Sequence, residues 1–260
     1  MRIVVCVKPV KIGLVDLMYT TDETLALNPY DNYALQDVIN AKNKLYENKD
    51  ECELVCLSMG AMSGKDVLVK CLAYGADKAV LLSDKRFSGA DTVSTSYAIC
   101  KAFEKNGIPS LIVCGQKAID GETGQVVYGI SKRMGIQCIV GVKKIVELTD
   151  EYVILNVSDK EYEKEIKVKL PAVIAYDDFT IHQPSFSLLK LKQAGRKTIE
   201  ILDCDSICAD EEKCGIKGAK TKVVDLAQNT TRKPGKKVFI NNIDNIDPVI
   251  DLISKYSMKG

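Results

Sequence analysis

Tryptophan is absent from this chain of 260 residues, and histidine occurs once, as His182. One histidine excludes a histidine-rich metal centre, and any imidazole-based triad or proton shuttle would have to run through that single side chain. No apolar run approaches the roughly 20 residues that a membrane-spanning helix needs. The first such run, Ile3-Val4-Val5-Cys6-Val7, stops at Lys8-Pro9, too short for a secretory leader. An excess of one charge is lacking as well: 36 basic and 35 acidic side chains leave a formal +1, and aromatics make up 6%. That balance gives no large attraction to nucleic acid or to an anionic membrane surface. These absences predict a soluble, cytoplasmic protein with no nucleic acid partner and no membrane insertion. Cysteine, by contrast, is plentiful, and ten cysteines without a leader read as reduced thiols, not as a disulfide framework.

At 46% hydrophobic and 27% charged, the rest has the composition of a globular protein, long enough for one large domain or one domain with an appendage. Short β-branched runs at Ile3–Val7, Leu54–Leu57, Ala79–Leu82, Leu111–Cys114 and Cys138–Val142 alternate with longer stretches of helical period. Those stretches span about Asn32–Tyr46, Lys65–Tyr74, Thr92–Glu104 and Gly124–Met134. Continuous apolar strands between amphipathic helices predict an α/β fold: a mostly parallel sheet with helices on both faces. Asp91-Thr92 reads as a helix start, and Gly75, Gly107 and Gly135 as helix stops. After Val142 the pattern changes. Lys144–Leu148, Tyr152–Val157 and Glu161–Val168 lie close together with alternating polarity, which predicts a small antiparallel addition, and Leu170–Ala175 reads as another buried strand. From Thr180 onward apolar density falls: 183–197 is basic without a clear period, Arg232–Lys237 reads as a basic linker, and Pro248–Tyr256 as a short helix. The division expected is an α/β domain over 1–180 and, over 181–260, an extended C-terminal segment that packs on something else.

The fourth strand runs into Gly115-Gln116-Lys117-Ala118-Ile119-Asp120-Gly121-Glu122-Thr123-Gly124-Gln125-Val126, and a helix follows. In open α/β sheets ligands sit at the carboxyl ends of strands, and unpaired N–H groups at a helix start hold anions, phosphate above all. An ordinary strand-to-helix turn with an Asp or Thr cap would give the same pattern. Asn28-Pro29-Tyr30-Asp31 stands before the first long helix, either as its cap or as a second loop at that sheet edge. Gly60–Lys65 is one residue short of a P-loop and has Asp66 where Ser or Thr should bind magnesium; no G-x-G-x-x-G follows a strand. Cys204, Cys208 and Cys214 do not have zinc-ribbon spacing, and Cys52 and Cys56 read as packing thiols. His182 reads as a surface loop residue, and Lys190, Lys192, Arg196 and Lys197 as a solvated basic face.

Taken in order, Val5-Cys6-Val7-Lys8, Asn28-Pro29-Tyr30-Asp31, Leu57-Ser58-Met59-Gly60, Tyr74-Gly75-Ala76-Asp77, Ser88-Gly89-Ala90-Asp91-Thr92 and Ala118–Val126 resemble the beta subunit of electron-transfer flavoproteins over nearly the whole chain. The resemblance implies an α/β nucleotide-binding fold, an alpha subunit as obligate partner, and a nucleotide in this chain: AMP in simple members, a second FAD in electron-bifurcating ones. Carried over by position, the cofactor would contact Cys6, Asn28, Pro29, Tyr30, Asp31, Met59, Ala118, Ile119, Asp120, Gly121, Glu122, Thr123, Gly124, Gln125 and Val126. Gly121–Gln125 and Leu81–Phe87 look more like the bifurcating, FAD-containing type, which uses NADH as donor and a flavin dehydrogenase of acyl-CoA or lactate type as partner. The segment between Lys8 and Asn28 is shorter than in most bifurcating members. Gln183–Lys190 is similar to the family's loop for docking dehydrogenases, with Leu189 as its anchor. Such a subunit carries electrons and needs no nucleophile or general base of its own. The rival readings are a subunit with structural AMP alone and a stand-alone adenine-nucleotide module of the stress-protein type.

Overall fold

The computed structural model describes residues 1–11, 24–45, 52–159, 162–180 and 185–222, with isolated positions 247, 250 and 254. The Val-, Ile- and Leu-rich runs form β1 (Arg2–Cys6), β4 (Glu53–Met59), β5 (Lys78–Leu82), β6 (Leu111–Gly115) and β10 (Ala172–Tyr176). With β7 (Gln137–Leu148), β8 (Tyr152–Asp159), β9 (Tyr162–Lys169) and β11 (Glu200–Leu202) they make a nine-stranded sheet in the order β11-β5-β4-β1-β6-β10-β7-β8-β9. Pairing is parallel from β11 to β7 and antiparallel across β7-β8-β9. A separate antiparallel pair, β2 (Pro9–Lys11) with β3 (Leu25–Leu27), was not anticipated from the sequence.

Alternate side chains of each central strand enter opposite cores. Ile3, Val5, Leu54, Cys56, Leu111 and Val113 face a layer closed by α1 (Pro29–Leu45) and α2 (Lys65–Tyr74). Val4, Val55, Leu57, Ile112 and Cys114 face α3 (Thr92–Asn106) and α4 (Val126–Met134). Cover on both faces is why these strands read as unbroken apolar runs, and each fully buried aliphatic side chain contributes roughly 1.5–3 kcal/mol relative to exposure. Among the described residues no helix is long and apolar enough to cross a membrane.

The helix starts and stops have local causes. Pro29, with its preset φ, opens α1 three residues earlier than the apolar period predicts, and the Asn32 N–H donates to Asn28 O at 2.8 Å. Gly124, at φ +62, keeps the chain out of the helical region, so α4 begins at Val126 and not at Gly124. Gly75, Gly107 and Gly135 do follow α2, α3 and α4. Two sequence segments, Cys138–Val142 and Lys144–Leu148, are one strand. Register shifts at Val142/Lys144 and Ile145/Glu147 break the alternation, so the pattern looks interrupted where the strand is not. Within 183–197 lies α5 (Leu188–Ala194), started by the Ser187 side chain, which accepts the Lys190 N–H at 3.2 Å.

The chain past Thr180 is better packed than its composition indicates. β11 adds a parallel strand beside β5, and Leu202, Cys204, Ile207 and Cys214 are buried in the α3/α4 layer. Residues Met1–Lys222 form one compact unit. His182, the linker 232–237 and all of 248–256 except two isolated positions lie outside the described residues.

Residues 203–222 form a strap over the start of α3. The Arg86 guanidinium donates to Asp84 at 3.0 and 2.6 Å and to Asp205 at 2.9 Å on each oxygen. Asp91 does two jobs. One oxygen caps α3 by accepting the Val93 and Ser94 N–H groups at 2.9 and 3.0 Å; the other accepts those of Lys220 and Thr221 at 2.6 and 3.0 Å. Partial burial works to raise the Asp91 carboxyl, and the four N–H groups outweigh it, holding it at about 2. Asp91→Ala is expected to cost about 1–2 kcal/mol in urea unfolding and to speed hydrogen exchange across 203–222. Because the folded value lies below the unfolded 3.8, the stabilisation is present above that pH and fades as pH falls through about 2. A variant that matches the parent from neutral pH to pH 3 would remove this role.

Candidate functional site

From β1 the chain builds outward to β4 and β5, then returns to place β6 on the other flank of β1. The strand order therefore reverses between β1 and β6, and a crevice opens at their carboxyl ends. Cys6 ends β1, Gly115 ends β6, and Met59 ends β4. Cys6, Met59 and Val126 all pack, partly buried, on the α3/α4 side of the sheet.

The Asn28–Asp31 segment fastens the two strand ends together. Asp31 accepts the Lys8 N–H at 2.8 Å on one oxygen and the Gly115 N–H at 3.1 Å on the other. Asn28 donates from its side-chain amide to Lys117 O at 3.0 Å and accepts the Ile119 N–H at 3.3 Å; its own N–H reaches Lys8 O at 3.0 Å. Lys8 Nζ pairs with Asp120 at 2.7 Å, and Ile119 packs on Val10 and Ala26 of the β2–β3 pair. Burial pushes the Asp31 carboxyl up to about 7, against the lowering effect of the Lys8 N–H, the Asn28 side chain, the Gly115 N–H and the Lys8 charge.

A close approach makes the brace possible. A Cβ at position 115 would lie 2.6 Å from Tyr30 Cβ and 2.9 Å from the Asp31 nitrogen, so only glycine lets α1 come this near to β6. Asn28 and Asp31, expected to contact a ligand directly, are 1% and 5% exposed and spent on backbone groups. They position the loops. Tyr30 remains accessible, its ring 5.4 Å from that of Phe179 and 5.7 Å from Lys117 Nζ.

The loop after β6 turns at Ala118, whose carbonyl accepts the Gly121 and Glu122 N–H groups at 3.3 and 2.8 Å. Glu122 and Gly124 have φ of +52 and +62, and Gln125 precedes α4 without any side-chain cap on the first turn. At Gly121 a Cβ would meet nothing within 4 Å, so the turn faces open space. Gln116 Oε1 is buried without a hydrogen-bond partner, an acceptor held ready beside the loop. Between the starts of α3 and α4 a groove of about 480 Å³ is lined by Thr92, Ser96, Gln125, Tyr128 and Lys132. These groups suit a polyanion with an attached ring: amides and lysine for the charge, and ring and thioether faces for the rest.

The expected set thus comes together around one crevice, except Leu189. That residue sits on α5, which packs against α2, and it is 64% exposed beside Leu188 at 85%. Lys8, Gly115, Gln116, Lys117 and Phe179 also belong to the crevice, outside the set expected to contact the cofactor. A glycine closing an apolar strand was the available signal for Gly115.

A family model for the electron transfer flavoprotein domain matches residues 16–206, which includes Asn28–Asp31, Met59, the 118–126 loop and Leu189. The chain belongs to the electron transfer flavoprotein family. It is 32% identical over 220 residues to the electron transfer flavoprotein subunit beta of Thermoanaerobacterium thermosaccharolyticum, covering 84% of this chain and 81% of that one. With the subunit beta of Megasphaera elsdenii it shares 32% over 236 residues, 87% and 84% of the two chains. With protein FixA of Azorhizobium caulinodans it shares 31% over 237 residues, 86% and 83%. The resemblance drawn from the ordered motifs is borne out, and the role of an electron transfer flavoprotein in electron transport comes with it. Among the described residues of this family member, no group of three or more His, Cys, Asp or Glu side chains is placed to hold a metal ion.

Proposed function

We propose that this chain is the beta subunit of a heterodimeric electron transfer flavoprotein and that it holds FAD in the β1/β6 crevice. The observation that carries the reading is the open turn at Gly121 followed by the uncapped start of α4, at the point where the strand order reverses. The diphosphate would lie on the N–H groups of Thr123–Val126, with the Lys8 and Lys117 charges nearby. Cys6 and Met59 would lie under the adenosine, and Gln116 Oε1 would gain a donor. Asn28 and Asp31 would hold the two loops at fixed separation. The groove beside Gln125 supports FAD over AMP, since it adds about 480 Å³ of room next to the loop. When bound, the flavin supplies the electron-accepting chemistry; the protein places it and excludes water.

In this reading electrons pass from a donor, NADH in a bifurcating complex, to a dehydrogenase of acyl-CoA or lactate type, in the cytoplasm. Residues 181–260 would serve the alpha subunit and the docking partner. Ten free cysteines support a reducing compartment. Co-expression with the alpha subunit, acid release and chromatography of the bound nucleotides test the assignment. Two FAD per heterodimer is the expected result; one FAD with one AMP would make the nucleotide here structural. A colourless homodimer would end the heterodimer reading. Leu189→Ala is expected to slow electron delivery to the dehydrogenase about tenfold or more, with nucleotide content and unfolding midpoint unchanged. An unaltered rate would move the docking surface elsewhere.

A further inference from the structure

Three cysteines in the strap have no part in the crevice. Cys204 follows β11, and Cys214 precedes the short helix α6 (Gly215–Gly218). Their sulfurs are 3.9 Å apart, and the two residues are 0% and 1% exposed. Both backbones are fixed to the same turn before α3: the Cys204 N–H donates to Asp84 at 3.0 Å, and the Ile216 N–H donates to Ser88 O at 2.9 Å. Between them, Cys208 is exposed, at φ +51, on a turn whose Ala209 N–H returns to Cys204 O at 3.0 Å. A buried thiol pair with an exposed thiol four residues from one member is the arrangement of a resolving pair fed by an entry thiol.

We propose that Cys204 and Cys214 form a disulfide by exchange with a low-molecular-weight disulfide, and that Cys208 is the thiol through which the exchange enters. The Cys208 thiolate attacks one sulfur of the small disulfide, forms a mixed disulfide and releases one small thiol. Cys204 then attacks the Cys208 sulfur and releases the second small thiol. Cys214 attacks the Cys204 sulfur, and Cys208 leaves as a thiol. Two protein thiols are oxidised, one small disulfide is reduced to two thiols, and the two protons leave with them. Burial raises the Cys204 thiol and, first among its causes, pushes the Cys214 thiol up to about 12. Direct reaction of this pair with a reagent in solution is therefore slow, which gives the exposed cysteine its role. Closing the bond brings the two sulfurs from 3.9 Å to about 2 Å, with the backbone held by Asp84 on one side and Ser88 on the other. The oxidised strap is cross-linked between β11 and α6, and the reduced strap is held by non-covalent contacts only, among them those of Asp84, Arg86, Ser88 and Asp91.

The test uses the full-length protein, reduced, desalted and exposed to glutathione disulfide in native buffer, then quenched in acid. Free thiols are alkylated and peptides mapped by mass. The expected product is a Cys204–Cys214 linked peptide, lighter by two hydrogen atoms, formed before Cys52, Cys56, Cys71 or Cys100 reacts. Cys208→Ser, at an exposed position, is expected to slow its appearance about tenfold or more without changing the unfolding midpoint. If Cys204 and Cys214 stay open to alkylation on denaturation while Cys208 carries glutathione, the pair is not an oxidation site. If Cys208→Ser reacts as fast as the parent, the entry role is wrong.

Discussion

Gly115→Ala is expected to lower unfolding free energy by about 2–4 kcal/mol and to release the bound nucleotide. The new Cβ would lie 2.6 Å from Tyr30 Cβ and 2.9 Å from the Asp31 nitrogen, and closer still to Asp31 Oδ1. Two of these three atoms are rooted in the first turn of α1, so no flexible side-chain tip can swing away. The first turn has to back off from β6. That movement breaks the Gly115 N–H bond to Asp31 and strains the two bonds from Asn28 to Lys117 and Ile119. The 118–126 loop then loses its brace to the start of α1, and the separation on which the proposed diphosphate site depends is no longer set. Gly121→Ala separates the two consequences, because nothing lies within 4 Å of a Cβ there. It is expected to keep parental stability within about 0.5 kcal/mol and still weaken nucleotide retention, since the added methyl occupies the open side of the turn. Urea midpoints and nucleotide content after gel filtration, measured for both variants, check the pair. A stable Gly115→Ala protein with full nucleotide content would show that the brace does not set the site.

The sheet was legible in the sequence because its strands are covered on both faces, which makes Ile3–Val7 or Leu111–Cys114 continuous apolar runs. The Asp91-Thr92 helix start was legible because a cap needs only local residues. What escaped was set by distant partners. β11 is three residues long and exists because β5 offers a free edge. The β2–β3 pair is equally short, and Ile119, far away in sequence, packs on it. At the site, glycine spacing and the motif order pointed to the 118–126 loop, whereas the bracing by Asp31 was not legible. Asp two residues after Pro at a helix start reads as a cap or a ligand contact. That its carboxylate bridges two strand ends follows only from the sheet order, which no local pattern contains.

Asp31 also carries the second large effect, and its pH dependence distinguishes a buried brace from an ordinary helix cap. Its folded value, about 7, lies above the unfolded 3.8, so between these pH values the folded chain holds a proton that the unfolded chain has released. Asp31 therefore favours folding most strongly below about pH 4, and the contribution is lost as pH rises through about 7. The loss over that window is at most about 4 kcal/mol, from 1.36 kcal/mol per unit of displacement. Asp31→Asn does not titrate. Its amide oxygen still accepts one of the two N–H groups, from Lys8 or Gly115, and its NH₂ faces the other, which costs about 1–3 kcal/mol. At pH 5 the variant is expected to be the less stable protein. By pH 8 the parent has lost the advantage of its bound proton, and the gap should close or reverse. Asp84 and Asp91, whose carboxyls are held low, and Asp37, held high, are common to both proteins and cancel in the difference. Urea unfolding of parent and variant at pH 5 and pH 8 gives the two differences directly. Parallel pH profiles would mean that Asp31 is ionised throughout, with the Lys8 and Gly115 N–H groups fully offsetting its burial, and the brace would then be a fixed anion.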